Sequence, residues 1–268
     1  MPNLKKRPEN AAPVVLIFDS GVGGLTVFRE VASARPDARY VYVADDAGFP
    51  YGNQPPDALI KRIVQVIGDA IAAHNPDLIV IACNTASTLA LAELRKNFSV
   101  PFVGTVPAIK PACARSQTKR IAVLGTRATV SLEYTHALIR EFASGCDVIL
   151  VGSPHLASLA ERELSGLPVA DAEIAAEIAP CFVDNDGRRT DTVVLACTHY
   201  PLLTARFRKL APWPVEWIDP APAIARRVAD LLHEWKTAAQ SAPPQIFFTS
   251  GRAPPAPLAA ALRSFGFN

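Results

Sequence analysis

D-L-I-V-I-A-C-N-T at residues 77–85 and D-T-V-V-L-A-C-T-H at residues 191–199 decide the fold of this chain. Each begins with an aspartate, runs through a short strand-like stretch dominated by Ile, Val and Leu, and ends in Ala-Cys followed by two polar residues. The cysteines lie 197 − 83 = 114 residues apart. A weaker echo pairs V-L-I-F-D-S at 15–20 with I-A-V-L-G-T at 121–126. Short, continuously apolar runs are the signature of strands covered on both faces, as in parallel sheets. Two echoes in the same order imply two related α/β halves, one in the first 106 residues and one centred on 120–216.

Outward from these stretches, strands are expected at Val14–Phe18, Tyr40–Val43, Leu78–Ala82, Phe102–Val106, Ile121–Leu124, Val148–Val151, Thr192–Ala196, Val215–Ile218 and Ile246–Phe248. Helical spacing joins Leu59, Ile63, Ile67 and Ala70, and again Ile224, Val228, Leu231 and Trp235. Strands alternating with helices make βαβ units and parallel sheets flanked by helices. The expected architecture is two pseudo-symmetric α/β lobes with a cleft between them. Residues 1–12 are polar, contain Pro2 and Pro8, and read as a loose arm.

Composition narrows the function classes. Half of the 268 residues are hydrophobic and 19% are charged, which excludes a disordered chain. Lys and Arg number 27 against 25 Asp and Glu, a net charge of +2. That balance points away from nucleic acid or an anionic membrane as partner. The longest apolar runs, such as Leu78–Cys83, fall far short of the roughly 18 residues of a membrane span. Lys5, Lys6 and Arg7 precede an apolar stretch, but Asp19 ends it too soon for a signal-peptide core. The expected compartment is the cytoplasm, where the five cysteines stay reduced.

Ligands of parallel α/β sheets bind outside the carboxyl ends of the strands. The polar residues there are Asp19 and Ser20; Cys83, Asn84 and Thr85; Thr126 and Thr129; and Cys197, Thr198 and His199. One buried Cys is ordinarily inert. Two at equivalent strand ends with polar neighbours can face one substrate carbon from opposite sides, one removing a proton and the other delivering one. Both precede expected helices, whose N-termini favour a thiolate. His199 is placed to exchange a proton with Cys197. Asp19, in an apolar strand, can bind a substrate ammonium group, take the proton of Cys83 or cap the next helix. Cys113, Cys146 and Cys181 read as core or surface thiols.

Cofactor sites find no support. Zinc would need closely spaced Cys or His pairs, and no two cysteines stand two to four residues apart. Gly21-Val22-Gly23-Gly24 fails the dinucleotide fingerprint, because Thr26 stands where the third glycine belongs. The glycines more naturally admit a small ligand, with backbone N–H groups meeting its carboxylate. None of the eight lysines lies in a strand-end motif, as a pyridoxal phosphate enzyme would require.

Several segments resemble the cofactor-independent glutamate racemases of the aspartate/glutamate racemase family. They are F-D-S-G-V-G-G-L-T-V at 18–27, F-P-Y-G at 49–52, A-C-N-T-A-S at 82–87 and V-P-A-I-K-P-A at 106–112. T-R-A-T-V at 126–130, A-C-T-H-Y-P-L at 196–202 and F-T-S-G at 248–251 complete the match, which spans roughly residues 14–251. The resemblance implies Cys83 and Cys197 as the acid/base thiols, Asp19 assisting Cys83 and His199 assisting Cys197. It implies Glu161 as a further catalytic carboxylate, although the flanking residues 153–160 depart from the family pattern. It implies Asp19, Ser20, Tyr51, Gly52, Asn84, Thr85, Thr126, Thr129, Thr198 and His199 as contacts to the amino acid. The expected substrate is L- and D-glutamate, the product D-glutamate for peptidoglycan, with no cofactor and no metal; a homodimer stands among the assemblies left open. The family fold implies a discontinuous first domain (13–106 and 217–268) around a second (107–216). A two-cysteine racemase of aspartate or hydantoins, or a two-lobed binding protein without catalysis, would share many of these features.

Overall fold

The computed structural model describes residues 11–185, 187–235 and 242–268. The expected arm at 1–12 lies outside the described residues except for its last two. Nine strands build two parallel sheets: β1 (Val14–Asp19), β2 (Arg39–Ala44), β3 (Leu78–Ile81), β4 (Phe102–Gly104), β5 (Arg120–Thr126), β6 (Asp147–Ser153), β9 (Thr192–Ala196), β10 (Glu216–Ile218) and β11 (Gln245–Phe248). Between β6 and β9 lies an antiparallel ribbon of two-residue strands, β7 (Asp184–Asn185) and β8 (Arg188–Arg189), which the apolar pattern does not announce.

The first sheet has the order β11-β2-β1-β3-β4 and the second β10-β9-β5-β6. Four strands of the first, β2-β1-β3-β4, correspond in order to β6-β5-β9-β10 of the second. Both echoes fall on this correspondence: β1 matches β5, the central strands, and β3 matches β9, their neighbours. Even the leading aspartates share a task. Asp77 accepts the N–H of Val14 at 2.8 Å, at the start of β1. Asp191 accepts those of Gln117 and Thr118 at 2.7 and 2.9 Å, just before β5. The chain leaves the second sheet after β10, so sheet membership changes past Ile218 and not at 217.

Period-two alternation splits each strand between two cores. Val15 and Ile17 pack into one apolar layer of the first lobe; Leu16 and Phe18 pack into the other, with Ile79, Ile81 and Cys83. In the second lobe Val193, Leu195 and Cys197 share one layer and Val194 and Ala196 the other. Burying each large aliphatic side chain contributes about 1.5–3 kcal/mol, so both strand ends are rigidly held. No helix of the described residues is long and apolar enough to cross a membrane.

Candidate active site

Both cysteines stand one residue past the last residue of a strand or two past it: Cys83 beyond β3, Cys197 beyond β9. They line one small cavity between the lobes. From the first lobe its wall takes Ser20, Tyr51, Gly52, Asn84 and Thr85; from the second it takes Thr126, Thr198 and His199. Asp19, Thr129 and Glu161 stand behind this wall, each hydrogen-bonded to a member of it. Phe49, Pro50 and Ala157 also line the cavity. Phe49 and Pro50 sit inside the F-P-Y-G motif, in which Tyr51 and Gly52 alone are expected to touch a ligand. The Phe49–Pro50 peptide is cis, and the Phe49 ring lies against His199 with centroids 5.4 Å apart.

Cys83 is the N-cap of helix Asn84–Asn97, and its Sγ accepts the Ala86 N–H at 3.5 Å. Its thiol donates to Ser20 Oγ at 3.7 Å. The helix N-terminus does not win. Burial, then the charges of Asp19 and Cys197, push the Cys83 thiol up to about 12, against the Ala86 N–H and Ser20. Asp19 reaches Thr198 Oγ1 at 3.0 Å and the Gly21 N–H at 3.1 Å. Its described hydrogen bonds do not include Cys83, so the two act on each other through charge. Nor does it cap the following helix, Leu25–Ala34, whose N-cap is Gly24. Burial raises the Asp19 carboxyl above its ordinary value, although His199 and the Thr198 hydroxyl counter part of the rise.

Cys197 has a different neighbourhood. Its Sγ lies 3.8 Å from His199 Nδ1, and His199 Nε2 lies 2.8 Å from Glu161 Oε1. Burial disfavours a charged imidazole, but Cys197 and Glu161 on its two nitrogens outweigh it and lift His199 well above its ordinary value. Glu161 also accepts the N–H of Val22 at 2.9 Å, across the cleft. The same approach of the second lobe accounts for two of the loop's glycines. A Cβ at Gly23 would lie 2.5 Å from His199 Nδ1, and one at Gly21 would lie 2.3 Å from Glu161 Oε1. The missing side chains let the loop close on the second lobe, and the carboxylate its N–H meets is Glu161.

Three hydroxyls bridge the lobes. Thr85 on the first meets Thr126 and Thr129 of the second at 3.1 and 3.2 Å, and those two meet each other at 2.9 Å. Asn84 is the exception to this mutual satisfaction. Neither its Oδ1 nor its Nδ2 has a hydrogen-bond partner, and both are buried. Leaving such an amide unpaired costs about 1–3 kcal/mol, a cost that a polar ligand in the cavity would offset. Among the described residues, no group of three or more His, Cys, Asp or Glu is arranged to hold a metal ion.

Known proteins share this chain's sequence pattern and fold. Residues 20–228 match the family model for Asp/Glu/Hydantoin racemase. The chain is 54% identical over 239 residues to a glutamate racemase of Brucella canis, covering 85% of this chain and 86% of the relative. It is similar to the solved structure of the Escherichia coli glutamate racemase in complex with L-glutamate and the activator UDP-MurNAc-Ala. There the TM-score is 0.87 at 38% identity, with 96% of each chain covered. The glutamate racemase of Aquifex pyrophilus matches with a TM-score of 0.70 at 32% identity, over 95% of this chain and 96% of that one. With two thiols at equivalent strand ends, and kinship at this level over most of its length, the chain belongs to the Asp/Glu/Hydantoin racemase family, among the glutamate racemases.

Proposed function

We propose that this protein interconverts L- and D-glutamate by a two-thiol transfer of the Cα proton, supplying D-glutamate for peptidoglycan. The observation that carries the reading is the pair Cys83 and Cys197 on one cavity, each from its own lobe. In the L-to-D direction Cys197, as thiolate, takes the proton from Cα. Cys83, which burial keeps protonated, gives its proton to the opposite face of the planar carbanion. The two thiols end with exchanged protonation states, and the reverse direction uses them in the opposite roles. His199, held between Cys197 and Glu161, passes protons to and from Cys197. Asp19, behind the wall, acts on the substrate ammonium through its charge, and the arrival of that ammonium offsets the carboxylate charge that holds the proton on Cys83. Asn84, the threonine hydroxyls and backbone N–H groups bind the substrate carboxylates and stabilise the carbanion by preorganised dipoles.

The same proposal covers the remaining roles and the setting. Ser20, Tyr51, Gly52, Thr85, Thr126 and Thr198 form the rest of the binding wall, and Thr129 holds Thr85 and Thr126 from behind it. The first domain comprises 13–106 and the chain beyond β10, and the second lies between them. Glutamate is the partner, with no nucleic acid and no membrane, and a homodimer is the assembly to be sought by light scattering. The chemistry needs reduced thiols, which the cytoplasm maintains. Circular dichroism with pure L- or D-glutamate and no added cofactor tests the reading. Each enantiomer should decay to zero rotation, with deuterium entering Cα in heavy water. Exchange-free glutamate would refute it.

A further inference from the structure

Asp45 follows directly on β2 and is fully buried, an unusual place for a carboxylate. Four donors converge on its two oxygens. Arg62, on helix Pro56–His74, binds both, with Nε 2.7 Å from Oδ2 and Nη2 2.6 Å from Oδ1. Thr249, just past β11, donates to Oδ1 at 2.5 Å. The Tyr51 hydroxyl donates to Oδ2. Burial opposes the charge on Asp45, but Arg62, Thr249 and Tyr51 together hold its carboxyl below the ordinary value. It is therefore an acceptor only, and the single proton of the Tyr51 hydroxyl is committed to it. Tyr51 and Gly52 form part of the cavity wall. A Cβ at Gly52 would lie 2.8 Å from Thr126 Cβ, so this wall also abuts the second lobe.

We infer that Asp45 is a positioning residue of the racemase site, fixing the Tyr51–Gly52 wall to Arg62 and Thr249 and turning the Tyr51 hydroxyl proton away from the substrate. The inference rests on the proposed racemase reading for its effect on glutamate, and on the hydrogen bond alone for its spectroscopic signature. Tyr51 then meets substrate through its ring and the backbone of its turn, not as a hydroxyl donor. Asp45 touches no substrate; it acts through Tyr51.

Racemisation is measured on the full chain carrying Tyr51→Phe, Asp45→Asn, both together, or Thr249→Val. Tyr51→Phe and Asp45→Asn should each raise KM about three- to tenfold with kcat changed less than threefold, because a loosened wall weakens placement. The double variant should be no worse than the worse single one, since both changes break the same bond. Thr249→Val, which leaves Asp45 and Tyr51 in place, should raise KM in the same direction by less. Multiplying effects, a kcat loss confined to Tyr51→Phe, or an unchanged KM in both Tyr51→Phe and Thr249→Val would overturn the inference. Proton NMR gives an activity-free reading. A downfield hydroxyl resonance should appear in the wild type and be lost in Tyr51→Phe, and Asp45→Asn should move it upfield. No such resonance in the wild type, or one that Asp45→Asn leaves in place, overturns the inference. A wild type that keeps the resonance but never racemises glutamate refutes the functional reading instead.

Discussion

Cys83 and Cys197 occupy the same place in two copies of one four-strand unit, yet their surroundings differ in nearly every respect. Cys83 has a long helix behind it, a buried carboxylate near it and a serine hydroxyl as partner. Cys197 is followed by the 3-10 turn Tyr200–Leu203 and answers to an imidazole backed by a glutamate. The repeat placed two sulfurs at one cavity; the local residues then gave them unlike electrostatics. In the proposed mechanism, symmetry of backbone presents the two sulfurs to the two faces of one substrate carbon. The same mechanism uses the asymmetry of environment, with Cys83, kept protonated by burial, as the acid of the L-to-D direction.

The largest expected effect tests whether both sulfurs are needed. Cys83→Ser and Cys197→Ser should each lower racemisation about a thousandfold or more, because a serine hydroxyl replaces neither acid nor base well. Retention of a tenth of the activity in either variant would break the pairing. Next come the unlike partners. Asp19→Asn and His199→Gln should each reduce kcat about 10²- to 10³-fold, measured in both directions by circular dichroism. If His199→Gln is silent, Cys197 exchanges its proton without help.

Asn84 sharpens the comparison from the substrate side. Asn84→Ala should raise KM for glutamate about tenfold, near the 1–2 kcal/mol of a lost polar contact. It should also leave the melting temperature unchanged or higher, because the variant removes two unsatisfied buried atoms. A fall in melting temperature would mean that the amide serves the fold and not the ligand.

The smallest effect concerns stability and pH. His199 has a folded-state pKa above its unfolded value near 6.5. Its protonation therefore stabilises the fold fully below that unfolded value, and the contribution is lost as pH rises through the folded value. The melting-temperature difference between wild type and His199→Gln should shrink from pH 6 toward pH 9. A difference that grows over this range would place the imidazole in the neutral form.

Much of this was legible in the sequence because it depends on local pattern. Nine expected strands, most of them continuously apolar, became the nine strands of the two parallel sheets among the described residues, and the polar residues past four of their ends came together in or behind the wall of one cavity. What stayed hidden depends on contacts between distant segments. Gly21 and Gly23 are small for the sake of Glu161 and His199, about 140 and 176 positions away, which no local motif encodes. Asp45 looks like a loop carboxylate until Arg62 and Thr249 close on it. The helix expected after Cys197 opens as the 3-10 turn Tyr200–Leu203, with Pro201 in its first turn, and only then runs on as the α-helix Thr204–Leu210. The short ribbon β7–β8 is built from Asp, Asn and Arg, which carry no apolar alternation to read.

The central claim is that each sulfur serves one face of the substrate carbon. A glutamate analogue with a leaving group on Cβ tests it directly, because loss of the Cα proton is followed by expulsion of that group and an unsaturated product. Each serine variant keeps one competent base. Cys197→Ser, with Cys83 intact, should eliminate from the D-configured analogue, and Cys83→Ser, with Cys197 intact, from the L-configured one. Such crossed selectivity is the predicted result; equal processing of both hands by both variants would contradict it and leave a single base serving both faces.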